Sequence, residues 1–346
     1  MTSAEQTANR KSAFGNSSGS ALIVALWVLI ILSLLVGAFA FDMHIEAGIT
    51  SYYRKRLRSQ YLARAGVEYA KLLLVKSFEV NEEFMEDGMD EAMYIQALNL
   101  QKGVGVSGGG TDLGEGSFSV DIIPEQGRRN VNNLSDEDWE EILDQSGVPT
   151  EKWAELIDCF HDWTDPGDEH HLNGAESDDA FYTQRGYECK NAPLDTVDEL
   201  LLIKHFTPEI VFGGVDKQTE EQYTGIARWL TVWGDGKVNA NTATREVLLT
   251  IPGLEEFDVE DILEGRLGPD GEAGTRDDGF ESVDELMTKL GLTDQGVRDK
   301  LTTTERRYVR VTSIGESYGV RSGIWCILQA DAGGVIPLFW REEDMP

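Results

Sequence analysis

Residues 21–41 read ALIVALWVLIILSLLVGAFAF, a run of 21 residues without a charged side chain. About 20 consecutive apolar residues are enough for a helix to span a bilayer, so the run predicts a transmembrane helix. Arg10 and Lys11 precede it, and the positive-inside rule then places residues 1–19 in the cytoplasm and the remainder outside. A cleaved secretory signal is the alternative, because Ala38-Phe39-Ala40 offers a small-residue cleavage site.

The helix is expected to continue beyond the membrane. The sequence contains no proline between Met1 and Ile123, and apolar residues recur with a helical period from Met43 to Glu79. We therefore expect one helix from about residue 21 to about residue 78, with its second half against a folded domain. The predicted apolar stripe consists of Ile45, Ile49, Tyr52, Tyr53, Leu57, Tyr61, Leu62, Ala65, Tyr69, Leu72 and Leu73.

The composition is strongly acidic. The 346 residues include 62 Asp and Glu against 30 Lys and Arg, which gives a formal net charge of −32. Such a surface repels polyanions, so a nucleic acid is not an expected partner. Carboxylates at this density also repel one another, and bound divalent cations are one remedy.

The remaining sequence predicts an α+β fold. Strand patterns occur at 116–124, 308–315, 320–330 and 335–340, whereas the glycine-rich stretch Gly103–Gly116 is expected to be an exposed loop. Between these strands, residues 130–303 are acidic and helix-rich. We therefore predict a long N-terminal helix packed on a small antiparallel sheet, with a large helical domain inserted into the sheet region. The domain boundaries are set at 20–41, 42–129, 130–303 and 304–346, after an N-terminal segment of residues 1–19.

The helical region contains weak repeats. Asn130-Val131-Asn132 is echoed by Val238-Asn239-Ala240-Asn241, and the Thr196 and Ser282 segments each place a Glu three residues later. These positions are predicted to cap helices. The segment around Ile251-Pro252-Gly253-Leu254 is similar to helix-hairpin-helix modules that bind DNA, but a run of acidic residues follows it and opposes phosphate binding.

A dense acidic cluster extends from Asp158 to Asp179. Carboxylates around turn residues favour Ca²⁺, which takes six to eight oxygen ligands. A solvated acidic loop is one alternative, and zinc is another because His161, His170 and His171 lie nearby, although their spacing fits no standard zinc motif. The second acidic loop, Gly268–Gly279, is a further candidate calcium turn.

The junction Ser18-Gly19-Ser20-Ala21-Leu22 resembles that of type IV prepilins, with Val24 in place of the usual fifth-position Glu. Together with DWTDPGD, NGAESDD and KVNANTATREVL, it makes the chain resemble the K-type minor pseudopilins of the type II secretion system (general secretion pathway protein K). This resemblance implies a calcium-binding helical insert and a complex with the I and J minor pseudopilins at the pseudopilus tip. The calcium ligands that it implies are Asp162, Asp165, Asp168, Glu176 and Asp179.

The resemblance also implies processing and location. Residues 1–19 are the prepilin leader, and prepilin peptidase is expected to cut between Gly19 and Ser20. The mature chain is then expected in the inner membrane, with a single pass and its globular part in the periplasm. Partner subunits are expected to cover the helix face formed by Ile49, Tyr53, Leu57 and Tyr61.

We find no catalytic motif in the sequence, so an enzyme is not expected. If the globular part is periplasmic, Cys159 and Cys189 are predicted to form a disulfide, and Cys326 to remain a buried thiol. The sequence supports a filament-tip assembly protein best. A secreted or membrane-anchored calcium-dependent binding protein is the alternative, and a helix-hairpin-helix DNA receptor is a weaker one.

Overall fold

The protein is represented by a computed structural model that describes residues 17–80, 90–217, 219–304, 307–331 and 333–345. Residues 1–16 of the predicted leader lie outside the described residues. The chain divides into two compact units, one up to Leu57 and one from Arg58 onward. The predicted domain boundaries differ from this division and stay an interpretation of the sequence.

The first helix, α1, spans Ser17–Ser77 without a break. It contains no proline, the residue that would remove a helical hydrogen bond. From Leu22 to Phe41 its large apolar side chains are exposed. Among the described residues, α1 is the helix that is long and apolar enough to cross a membrane. By length and composition it suggests a single membrane anchor.

The second unit contains a five-stranded antiparallel sheet in the order β1-β2-β3-β4-β5. Residues along β3 alternate between buried and partly exposed, as expected of a strand with one face on a core. The predicted α+β, pilin-like fold class, a long helix with an antiparallel sheet and further helices, is confirmed. The strands are β1 Val106–Asp112, β2 Ser117–Pro124, β3 Tyr308–Ser317, β4 Val320–Asp331 and β5 Gly334–Met345.

Strand β1 corrects the sequence analysis, which assigned Gly103–Gly116 to an exposed loop. β1 pairs with β2 and has an irregularity between Gly108 and Thr111. Glycine has low strand propensity, so the local pattern gives little sign of a strand. Pairing with β2 supplies the backbone hydrogen bonds, and an edge position tolerates the missing side chains.

The second half of α1 lies on the sheet through small and aliphatic residues. Ala63, Val67, Ala70 and Leu74 are fully buried there. Of the predicted stripe, Leu62 and Leu73 are buried as expected, whereas Leu72 is exposed. Leu57 and Tyr61 are also exposed, and they belong to the face that is predicted to meet partner subunits. Small residues allow the helix and the strands to approach closely. A prediction based on large apolar side chains misses them and therefore selects a neighbouring face of α1.

Residues 125–307 connect β2 to β3, which are neighbours in the sheet. This helical region has a core of its own, in which the Trp139 and Phe160 rings lie 4.8 Å apart. The helices after α1 are α2 Glu91–Gln101, α3 Asp136–Ser146, α4 Trp153–Thr164, α5 Ala180–Arg185, α6 Pro208–Phe212, α7 Arg245–Leu249, α8 Glu256–Gly265, α9 Val283–Leu290 and α10 Gln295–Lys300. Two-residue strands pair Arg129–Asn130 with Leu230–Thr231, Gly214–Val215 with Gln222–Tyr223, and Val238–Asn239 with Leu301–Thr302.

The repeated Asn residues have structural roles. The side chain of Asn130 accepts a hydrogen bond from the amide of Asn132 at 3.0 Å, and Asn239 accepts one from the amide of Asn241 at 2.9 Å. The Ser282 hydroxyl accepts from the Glu285 amide at 3.2 Å. Helix capping is therefore confirmed for Asn130 and Ser282, whereas Asn239 holds the turn that follows its two-residue strand and caps no helix. The predicted hairpin lies between α7 and α8, where Gly253 has a positive φ of 90°.

Candidate functional site

The candidate site is formed by the end of α4 and the loop that follows. Asp162 lies on the buried face of α4 together with Cys159 and Trp163, and it is fully buried. Pro166 follows the helix end, where it prevents continuation of the helix. The chain then turns back, so that residues 171–176 pass over the Asp162 carboxylate.

The two carboxylate oxygens of Asp162 differ in their hydrogen bonds. Its Oδ1 accepts a hydrogen bond from the His171 amide at 3.0 Å and lies 2.5 Å from His171 Nδ1. Its Oδ2 has no hydrogen-bond partner among the described residues. A Cβ atom at Gly174 would lie 1.9 Å from this oxygen, so the loop can pass here only as glycine. Ligand atoms of Asp162, Asp165 and His171 all lie within 4.8 Å of one another.

Glu176 is the second buried acid of the site, with 2% of its surface exposed. Burial raises the pKa of its carboxyl group, and the negative charges of Asp162, Asp165 and Asp168 raise it further, while the Ser177 amide acts in the opposite direction. Within the described part of the chain, neither carboxylate oxygen accepts a hydrogen bond of good geometry. A buried carboxylate without such partners favours a bound cation.

Asp165 and Asp168 hold the turn. Asp165 Oδ1 accepts from the Gly167 amide at 3.0 Å. Asp168 Oδ1 lies 3.5 Å from Asn191 Nδ2, and Asn191 also donates from Nδ2 to the Gly167 carbonyl at 3.0 Å. The charges of Asp162, Asp165 and Asp168 all act on Glu176. Four of the five predicted ligands thus lie in one place.

Asp179 has a different environment. Its side chain caps α5 by accepting from the Phe181 amide at 2.7 Å, and its Oδ2 contacts Lys204 Nζ at 2.8 Å. The Lys204 contact and the Phe181 amide lower the pKa of Asp179. Its negative charge is therefore already balanced by protein groups.

Two neighbours were not among the predicted ligands. His171 faces Asp162, and this contact is the largest cause that raises the pKa of His171. Asp158 Oδ2 accepts from both the amide and the side-chain nitrogen of Asn173, each at 2.9 Å, and so holds the loop. Asp158 begins the acidic cluster, but only the return of the loop along α4 brings it to Asn173.

The histidines do not form a shared nitrogen site. His161 Nε2 contacts Asp136 Oδ1 at 2.8 Å, and His170 Nε2 contacts Asp178 Oδ1 at 2.8 Å. Each of these three histidines, His171 included, thus has its own carboxylate. The donor set at Asp162 is dominated by oxygen, and the unpartnered oxygens fit a hard cation such as Ca²⁺ better than zinc.

The two cysteines lie beside the same loop. Cys159 Sγ lies 3.7 Å from the carbonyl oxygen of Asn173, and Cys189 Sγ lies 3.6 Å from that of Ala175. Burial raises the pKa of Cys159 to about 12 and that of Cys189 to about 11. Both are free thiols in the structure, so their disulfide stays a prediction. Cys326 is a free, buried thiol, as expected.

The other predicted site residues lie on α1. Gly19 and Ser20 are in its first turn, where the structure does not test cleavage. The predicted partner face is exposed, with exposed fractions of 51% for Ile49, 59% for Tyr53, 53% for Leu57 and 61% for Tyr61. This face is therefore accessible to another subunit.

Comparisons with known proteins agree with this architecture. Residues 118–212 match the sequence family described as type II secretion system protein K. A chain from the crystal structure of the GspK-GspI-GspJ complex from the enterotoxigenic Escherichia coli Type 2 Secretion System is similar in fold, with a TM-score of 0.56 and 13% identity over 87% of this chain and 100% of that one. The comparison with curated proteins gave no match. The resemblance to the K-type minor pseudopilins is thus confirmed: the chain has the fold of such a protein, and its residues 118–212 match the protein K family of type II secretion systems.

Proposed function

We propose that this protein is a minor pseudopilin at the tip of the type II secretion pseudopilus. There it assembles with the I and J minor pseudopilins, initiates the filament and supports protein export across the outer membrane. The observation that carries this proposal is the helical region between neighbouring strands β2 and β3, most of whose first half falls within the protein K match. The role is structural and requires no catalysis.

The bulk of the helical region supports the tip position. A pilin in the filament body repeats one contact, so its globular part touches subunits above and below it. Residues 125–307 form a helical region larger than the sheet that carries it. Such a region fits best where no subunit stacks above. Val24 adds support, because it lacks the carboxylate that pairs with the amino terminus of a neighbouring pilin.

Processing by prepilin peptidase belongs to the same proposal. Cleavage between Gly19 and Ser20 leaves α1 as a single anchor in the inner membrane, with the globular part in the periplasm. Amino-terminal sequencing of the mature protein tests this. Ser20 as the first residue supports pilin processing, whereas Phe41 as the first residue supports the secreted alternative.

The proposal includes a bound Ca²⁺ ion. Asp162, Asp165, Asp168 and Glu176 would hold it, and the ion would neutralise their mutual repulsion and order the loop. The unpartnered oxygens of Asp162 and Glu176 support this assignment. A solvated acidic loop does not explain why two of these carboxylates are completely or almost completely buried.

DNA binding is less favoured by the contacts of the hairpin. Arg245 lies beside it, but this arginine is already paired with Glu256 and with Glu260 at 2.8 Å. The acidic residues of α8 therefore neutralise a cation that a phosphate group would need, and their charge repels the nucleic acid.

The position in the filament is tested directly by labelling. Antibody-labelled full-length protein should appear at one end of pseudopili in electron micrographs. Label at regular intervals along the filament would refute the tip assignment. Co-purification with the I and J subunits from a detergent extract provides the corresponding test of the complex.

A further inference from the structure

A groove of about 580 Å³ lies between the outer face of β3–β5 and the helical region. Trp325 points into it, because its neighbours Ile324 and Cys326 belong to the core beneath the sheet and side chains alternate along a strand. Trp325 and Phe339 meet edge to face at 4.6 Å, and Trp233 and Leu338 extend this apolar wall. Grooves of this volume are typical of ligand sites.

Arg128 is the arginine of the groove that has no ion-pair partner among the described residues, whereas Arg310 and Arg341 are paired. Arg128 lines the cavity and is half-buried, and no described residue pairs with its guanidinium group. The pKa of Arg128 is lowered to about 10, first by burial and then by the positive charge of Arg310, against the opposing effect of Glu125. The side chain is still charged at neutral pH. An anion in the groove would therefore gain a hydrogen-bonded partner with a positive charge.

The acids of the groove do not supply that anion. Glu125 binds Arg310, with Nε–Oε2 at 2.8 Å, and also accepts from Thr231 at 2.9 Å. Asp195 pairs with Lys190 at 2.8 Å, and Glu343 pairs with Arg341 at 2.9 Å. Asp198 is exposed to solvent. In a chain with a net charge of −32, a half-buried arginine without an acid is a specific feature.

The shape of the groove favours an extended ligand. Its sheet wall follows β5 from Leu338 to Met345, which corresponds to roughly 23 Å at about 3.3 Å per residue. An elongated, apolar wall with one unpaired cation suits a peptide in which a carboxylate is flanked by apolar side chains. We propose that this groove binds an extended acidic peptide segment of a partner protein, with Arg128 as the residue that recognises the carboxylate.

The test uses full-length protein in detergent and two fluorescent pentapeptides. One is acetyl-Val-Phe-Glu-Val-Trp-amide, and the other has Gln in place of Glu. The Glu peptide is expected to bind at least about tenfold more tightly, because charge-assisted hydrogen bonds contribute more than neutral ones. Arg128→Gln should remove this preference. Arg321→Gln changes an exposed arginine outside the groove and should retain it.

Three results would overturn the proposal. The first is equal affinity for the Glu and Gln peptides, and the second is an unchanged preference in Arg128→Gln. The third is binding of phenylacetate as tight as that of the Glu peptide, which would indicate a small carboxylate ligand. If Arg128→Gln does not fold, Phe339→Glu replaces it. Phe339 is 37% exposed, and a negative charge there should abolish the preference for the acidic peptide.

Discussion

At the scale of single residues, the helical region contains two buried acids that differ in whether a cation balances their charge. Asp138 pairs with the buried Arg129 and with Lys300 at 2.8 Å. No described residue pairs a cation with Glu176, and other acids surround it. The first arrangement stabilises the folded protein at neutral pH, and the second leaves a free-energy cost that a bound cation would remove.

Glu176→Gln is expected to raise the melting temperature in chelator and to reduce the stabilisation by Ca²⁺. Removal of one buried charge worth about 1 kcal/mol corresponds to roughly 1–2 °C in a protein of this size. Thermal melts of the full-length protein in excess Ca²⁺ and in chelator measure both effects. A Ca²⁺ shift equal to that of the wild type would contradict the site.

Asp179→Asn is the matched control for that experiment. It removes the Lys204 ion pair but keeps an oxygen that can cap α5, so the melting temperature should fall by a similar amount with and without Ca²⁺. If Asp179→Asn also eliminates the Ca²⁺ shift, Asp179 is a ligand and its role as a cap is secondary.

Asp138 predicts a pH dependence of stability. Burial alone would raise its pKa, but Arg129 and Lys300 lower it to about 2. The carboxylate therefore stabilises the fold above its ordinary, unfolded-state pKa, and this contribution is lost as the pH falls towards 2. Asp138→Asn should cost about 3–5 kcal/mol at pH 7, because it leaves Arg129 buried without an acid. Urea unfolding at pH 7 and pH 3 measures this.

The exposed Asp136 provides the control. Asp136→Asn should change the free energy of unfolding by no more than about 0.5 kcal/mol, because its side chain is 72% exposed. An Asp138→Asn variant that is as stable as Asp136→Asn would refute the assigned role of the buried pair.

At the scale of elements, the contact between α1 and the sheet depends on glycine. Gly315 of β3 lies against the helix backbone, and a Cβ atom there would be 2.1 Å from the carbonyl oxygen of Ser59. Backbone cannot move aside as a flexible side chain does. The close approach therefore selects the face of α1 that carries Ser59, Ala63 and Val67, all of which are fully buried.

Gly315→Ala is expected to destabilise the protein by about 1–3 kcal/mol, the usual cost of overpacking. Chemical unfolding of the full-length protein measures the change. Gly110→Ala in β1 is the matched control, because a Cβ atom there meets nothing within 4 Å. It should remain within about 0.5 kcal/mol of the wild type. Equal stability of the two variants would contradict the proposed packing.

At the scale of the whole molecule, the exposed face of α1 is the surface that the proposed function requires. Tyr53→Asp and Leu57→Asp are each expected to weaken co-purification with the I and J subunits by at least about tenfold, since buried interface anchors contribute more than 1 kcal/mol. Phe257→Asp changes a side chain on α8 that is 62% exposed and should have no effect. Unchanged co-purification by both α1 variants would exclude this face as the interface.

The sequence by itself determined the elements with strong local signals. Composition predicts the apolar helix, alternation predicts β2 to β5, and Asn130 and Ser282 mark helix caps. These features depend on neighbours within a few residues in the chain, so a linear pattern contains the required information. The family resemblance then supplied the architecture, which the fold confirms.

Only the tertiary structure decided which surfaces meet. The period of α1 shows which residues share a face, but Gly315, more than 200 residues away, determines the face that is buried. β1 is a strand because β2 pairs with it. The contact of Asp179 with Lys204, and the lack of an ion-pair partner for Arg128 among the described residues, likewise result from the packed fold. Such contacts join residues distant in the chain, and burial and charge pairing at those contacts are properties of the packed fold.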